Sequence, residues 1–226
     1  MNVILALVVI SCVFLLGSSR MRTSIRVTAL QGVALGALPL LVGEDHLFHS
    51  SVWLLSLGGM ILKGGLLPWL LMTALVRSRA KREIEPFVGF SASLLIGLGL
   101  LGLSALVALR LGRDSALIAP QLLAVALFLV LTGLFLIISR RKAITQTLGY
   151  LVMENGIFAA GIGLGHEFPL LVEMGVMLDV FVGVFLMGIM LFHIDHEFDH
   201  IDADRLTELR DSHPREFSPE RAAGGN

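Results

Sequence analysis

The sequence predicts an all-α, polytopic integral membrane protein with seven transmembrane helices, its N-terminus outside and its C-terminus cytoplasmic. Composition is the first observation: 55% of 226 residues are hydrophobic and 15% are charged, more apolar surface than a soluble domain of this length buries. The second is that seven apolar stretches approach the roughly 20 residues needed to cross about 30 Å of hydrocarbon. They fall at 2 to 18, 25 to 43, 50 to 76, 87 to 110, 117 to 139, 143 to 165 and 170 to 194. The third is charge. The connections after the first, third and fifth stretches carry Arg20, Arg22, Arg26, Arg77, Arg79, Lys81, Arg82, Arg140, Arg141 and Lys142, whereas the opposite connections carry only Arg110 and Arg113. Cytoplasmic loops concentrate Lys and Arg, and an odd number of spans puts the two termini on opposite sides.

The first stretch has no basic residue ahead of its apolar run, and Arg20 and Arg22 follow it. That order predicts an uncleaved helix rather than a signal peptide. The second contains Gly32 and Gly36, and the sixth ends on Gly161 and Gly165. This GxxxG spacing lets helix backbones approach, and ordinary packing within the chain is its reading here rather than a dimer face. The single Cys12 excludes an internal disulfide or a cysteine-based metal or iron–sulfur site. The net charge of −1 masks an uneven distribution, and no nucleic-acid partner is expected.

The third stretch includes "MILKGGLLPWL", residues 60 to 70. Pro68 has no N–H to give to the carbonyl of Gly64, so the helix is expected to break beside Lys63. The sixth includes "GYLVMENGIF", with Glu154 and Asn155 in an oily run, and the seventh carries Glu173 near its outer end and Asp179 closer to the middle. A charge at the bilayer centre costs about 2.5 to 3.5 kcal/mol on insertion scales, so such residues face protein or water and mark ion pathways. A simple proline kink at Pro68, a headgroup contact for Glu173 and a static pair between an acid and Lys63 are the competing structural readings. Together Lys63, the backbone freed at Pro68, Glu154 and Asp179 supply base, polar backbone and acids at similar depth, the groups of a proton relay, with Glu173 and Asn155 as further candidates on the path. The seven histidines, His46, His49, His166, His193, His196, His200 and His213, lie at span ends or outside, which disfavours a haem-binding anchor because bis-histidine ligation needs them inside the bundle. In the tail, His193, His196 and His200 with Asp195 and Asp199 have helical metal-ligand spacing, but a solvated acidic continuation of the last helix is the favoured reading. Leu206 and Leu209 form a short apolar face suited to docking on a neighbouring subunit.

The segments "RRKAITQTLGYLVMENGIF", "LLVEMGVMLDVFVGVFLMGIML", "DADRLTELRD" and "ILKGGLLPWLLMTAL" resemble component E of hydrogenase-4, a membrane subunit of group 4 nickel–iron hydrogenase and formate hydrogenlyase-type complexes, over roughly residues 50 to 212. The last three spans also resemble, more distantly, the small three-helix K subunit of respiratory complex I and its counterpart in multisubunit cation/proton antiporters. Asp179, four residues before Gly183, matches the acid of the K subunit's last helix, and Asn155 its asparagine. Glu154 is displaced by about one turn from the other acid, which keeps the side chain on nearly the same face. The resemblance implies three regions: an N-terminal four-helix membrane part (1 to 116), a three-helix membrane part like the K subunit (117 to 194) and an acidic cytoplasmic tail (195 to 226). It implies a multi-pass subunit of the cell inner membrane with no catalytic centre and no cofactor of its own. The nickel–iron centre and iron–sulfur clusters would reside in soluble hydrogenase subunits. Antiporter-like subunits and a complex I-like membrane anchor would be its neighbours in the bilayer. The alternative it leaves open is a cation/proton antiporter subunit without a hydrogenase partner.

Overall fold

The computed structural model describes residues 1–42, 56–77, 87–114 and 120–164, together with the helical positions 183, 184 and 188. Among these residues the protein is all-helical, with no strand. Helix α1 spans Asn2–Gly17, α2 Met21–Gly36 and the short α3 Leu38–Val42. A helix from Ser56 to Val76 follows; its middle, Met60–Leu66, is π-helical and leads into α4, Leu67–Arg77. Then come α5, Phe90–Asp114, α6, Pro120–Ser139, and α7, Ala143–Leu164.

Three helices among the described residues are long and apolar enough to cross a membrane: Ser56–Val76, Phe90–Leu111 and Pro120–Ser139. The expected count of seven is therefore not what the described residues contain, and length and polarity explain the difference. Helices α1 and α2 have 16 residues each, about 24 Å at 1.5 Å per residue, short of a full span. Helix α7 has 22 residues, but Gln146, Glu154 and Asn155 reduce its apolar character. The seventh expected span lies outside the described residues apart from Gly183, Val184 and Gly188.

Helix α1 ends where Ser18 turns extended, at φ −85° and ψ 132°; the Ser18 hydroxyl accepts the N–H of Arg20 at 3.3 Å and starts the return of the chain into α2. Leu5, Val8, Cys12, Leu15 and Leu16 on α1 join Leu122, Phe128, Leu129 and Leu136 on α6 and Leu148, Leu151, Val152 and Phe158 on α7 in one apolar core. Helices α6 and α7 make the most extensive contact among the described elements. Small residues permit it: a Cβ on Gly156 would lie 2.7 Å from the Val130 nitrogen, and one on Gly133 would press on the Met153 backbone.

Gly32 and Gly36 of α2 face the π-helical segment. A Cβ on Gly32 would stand 2.6 Å from the Lys63 carbonyl oxygen, and one on Gly36 2.7 Å from the Met60 nitrogen. This GxxxG pair therefore serves packing inside the chain. Of the second pair, Gly161 is buried, and Gly165 lies outside the described residues.

One end of the bundle gathers the basic connections. The buried Arg140 guanidinium, 1% exposed, donates to the Leu16 carbonyl at 3.1 Å. This brings the C-termini of α1 and α6 together, with Arg20, Arg22, Arg26, Arg141 and Lys142 close by in the chain. The N–H of Phe87 donates to the Ser139 carbonyl at 2.8 Å, and the Arg141 guanidinium lies 4.5 Å from the Phe87 ring centroid. Burial lowers the proton affinity of Arg140, yet arginine stays charged in proteins. Its charge is placed where the terminal carbonyls of two helices point, which the helix dipole favours.

Candidate functional site: a buried ion pair

Pro68 shapes the helix that carries Lys63. Its ring collides with the carbonyl four residues back, and it has no N–H to donate. The chain answers not with an open gap but by widening: the Leu67 N–H donates to the Leu62 carbonyl, five residues back, and Met60–Leu66 is π-helical. An inserted residue of this kind re-aims the side chains around it and is frequent at functional sites. Gly64 sits against Val33 of α2, so the widened turn is clasped by α2 on the face where Lys63 enters the core.

The Lys63 ammonium pairs with a carboxylate oxygen of Glu154; the two side chains are 2% and 1% exposed. The same ammonium stands 4.8 Å from the centroid of the Phe158 ring. Glu154 and Phe158 are four residues apart on α7, hence on one face, and that face receives the cation. Glu154 lies eleven residues beyond Ala143, the start of α7, which puts it about 17 Å from the basic end of the bundle, close to the middle of a bilayer core of about 30 Å.

Beside the pair runs an amide bridge. Asn155, 2% exposed, donates from Nδ2 to Gln31 Oε1 at 3.4 Å, and Gln31, fully buried, donates from Nε2 to Cys12 Sγ at 3.2 Å and the Val8 carbonyl at 3.5 Å. Thus α1, α2 and α7 are tied together by polar groups at the depth of the ion pair. Such groups are conspicuous where the alternative surroundings are hydrocarbon.

Of the residues picked out from the sequence, the structure brings Lys63, Glu154 and Asn155 into one buried site. Glu173, Asp179 and the histidine-rich tail lie outside the described residues. Gly183, four positions after Asp179, packs against Leu67, where a Cβ on it would be 3.7 Å from the Leu67 side chain. Sequence reasoning misses Gln31 and Phe158. The signal for Gln31 is an amide inside an apolar stretch beside Gly32; Phe158 has only its position one turn after Glu154. Among the described residues no group of His, Cys, Asp and Glu could hold a metal ion.

Apolar helices of spanning length around a buried lysine–glutamate pair define an integral membrane protein. Over 209 residues, 90% of this chain and 92% of its relative, the sequence is 33% identical to the uncharacterized protein Rv0085 of Mycobacterium tuberculosis. The chain belongs to the family of that protein. It is also 36% identical over 88 residues to hydrogenase-4 component E of Escherichia coli and, equally, of Shigella flexneri. That similarity covers 39% of this chain and 41% of theirs, a shorter reach than the 50 to 212 expected from the sequence. No family model matches the chain, and no solved structure does.

Proposed function

We propose that this chain is a non-catalytic membrane-arm subunit of a group 4 nickel–iron hydrogenase-type complex, in which Lys63 and Glu154 form part of a proton or cation path coupled to redox chemistry in partner subunits. The buried Lys63–Glu154 pair carries this reading. A purely structural pair is a poor stabiliser, because desolvating two charges offsets most of their attraction. A pair at mid-bilayer depth is more readily understood as a switch: when a charge in a neighbouring subunit draws Lys63 away, Glu154 loses its counter-ion and takes up a proton, and the return of Lys63 releases it. The similarity to hydrogenase-4 component E supports the choice of complex.

In this reading the chain is a multi-pass protein of the cell inner membrane, with its N-terminus outside, and Asp179 and Glu173 extend the path from the last span. The nickel–iron centre and iron–sulfur clusters belong to soluble partners, and the lateral neighbours are antiporter-like subunits and a complex I-like membrane anchor. Purification of the tagged chain from native membranes in mild detergent tests it. Recovery together with a nickel-containing hydrogenase subunit is the expected result. Recovery alone would overturn it, and recovery with antiporter-type subunits only would replace it by the antiporter reading.

A further inference from the structure

We infer that the buried polar face of α2, formed by Ser24, Thr28 and Gln31, is the route along which protons pass between the Lys63–Glu154 pair and the basic end of the bundle. The inference rests on the reading of Glu154 as a relay acid.

Ser24, Thr28 and Gln31 are each 2% exposed or less, and their spacing of four and then three residues puts them on one helix face. At its upper end this face meets the site. Gly32, one turn beyond Thr28, lies on the Lys63 backbone, and Gln31 holds Asn155, the chain neighbour of Glu154. At its lower end the Ser24 hydroxyl donates to the Arg20 carbonyl at 3.1 Å, beside Arg22 and Arg26. In the opposite direction the face of α2 turns apolar at the buried Leu35, and α3 continues with the buried Leu38.

Thr28 is the buried hydroxyl of α2 that has no hydrogen-bond partner. The hydroxyls of Ser11, Ser24, Thr73, Thr145 and Thr147 each donate to a carbonyl three or four residues back. The Thr28 hydroxyl, like those of Thr132 and Ser139 on α6, is buried and makes no hydrogen bond. A buried hydroxyl without a partner is costly, and its natural complement is an internal water molecule. Residues four apart on a helix are separated by about 6 Å, a gap that one bridging water spans between Thr28 and Ser24. In each hop the Thr28 oxygen accepts a proton from the water on one side and releases its own to the water on the other. One O–H bond forms as another breaks, and the hydroxyl ends unchanged. Gln31 transfers no proton in this scheme; it fixes Asn155 and holds α2 in register with α7.

The test measures ions translocated per turnover in membrane vesicles containing the assembled complex, for Thr28→Val, Thr28→Ser, Thr28→Ala and Glu154→Gln. Valine keeps the shape of threonine without the hydroxyl, whereas serine keeps the hydroxyl without the methyl. The route predicts a several-fold loss of translocation in the Val and Ala variants at unchanged turnover, with Ser close to wild type. A packing role predicts the reverse order of Val and Ser, and that order would overturn the route. Normal translocation in Thr28→Val alongside failure in Glu154→Gln also overturns the route but leaves Glu154 as a relay acid. Normal translocation in both variants removes the relay reading together with the route.

Discussion

Removing one member of the Lys63–Glu154 pair should destabilise the protein far more than removing both. With side chains 2% and 1% exposed, neither charge is screened by solvent, and stranding one member of a buried pair costs about 3 to 5 kcal/mol. The two single variants should not be equal. Lys63→Met also forfeits the contact with the Phe158 ring at 4.8 Å, which contributes about 0.5 to 2 kcal/mol, while Glu154→Gln leaves the ammonium on that ring. Lys63→Met should therefore be the worse of the two. The double variant removes both charges together, a change that is often close to neutral, so the coupling energy of the cycle should approach the sum of the two single losses, about 6 kcal/mol or more. Unfolding in mixed micelles with increasing denaturing detergent, followed by helicity, gives the four stabilities. Additive effects, with the double variant as unstable as the two losses combined, would refute the pairing and with it the site built on it.

Gly32→Leu should be severely destabilising, because the added Cβ meets the Lys63 carbonyl at 2.6 Å and a backbone atom cannot step aside; overpacking costs about 1 to 3 kcal/mol, whereas Gly65→Ala, which meets open space, should stay within about 0.5 kcal/mol in the same unfolding assay. Arg140→Leu leaves the Leu16 carbonyl without its donor at 3.1 Å, at a cost of about 1 to 3 kcal/mol. Arg140→Lys should recover part of that loss, and equal stability of Arg140→Leu and wild type would show that desolvation of the guanidinium cancels its bond.

Which residues can be recognised from sequence follows from how each one signals. Lys63 and Glu154 stand out because charge in an apolar run is expensive, but nothing in the chain says that two residues so far apart in sequence meet. Pro68 announces a disturbed helix. Its form, a π-helical widening over Met60–Leu66, depends on α2 pressing Gly32 and Val33 against that turn, which is tertiary information. Gln31 escapes notice because a neutral amide carries no charge penalty to flag it. Arg140 reads as one more basic loop residue, yet its guanidinium is buried between two helix ends. Hydropathy locates the helices well, but it overstates α1 and α2 as full spans: the apolar run of α1 is only 16 residues long before Ser18 turns extended, and α2 ends at Gly36 although apolar sequence continues past Pro39.

If Glu154 gains and loses a proton as the complex turns over, the number of ions translocated per hydrogen turnover in vesicles carrying Glu154→Gln reports it most directly. Glutamine preserves the shape and hydrogen-bonding capacity of the protonated acid but cannot titrate. The variant complex should assemble and turn over while translocation per turnover falls several-fold. Translocation per turnover equal to wild type would contradict it and leave the Lys63–Glu154 pair as a structural feature of the bundle.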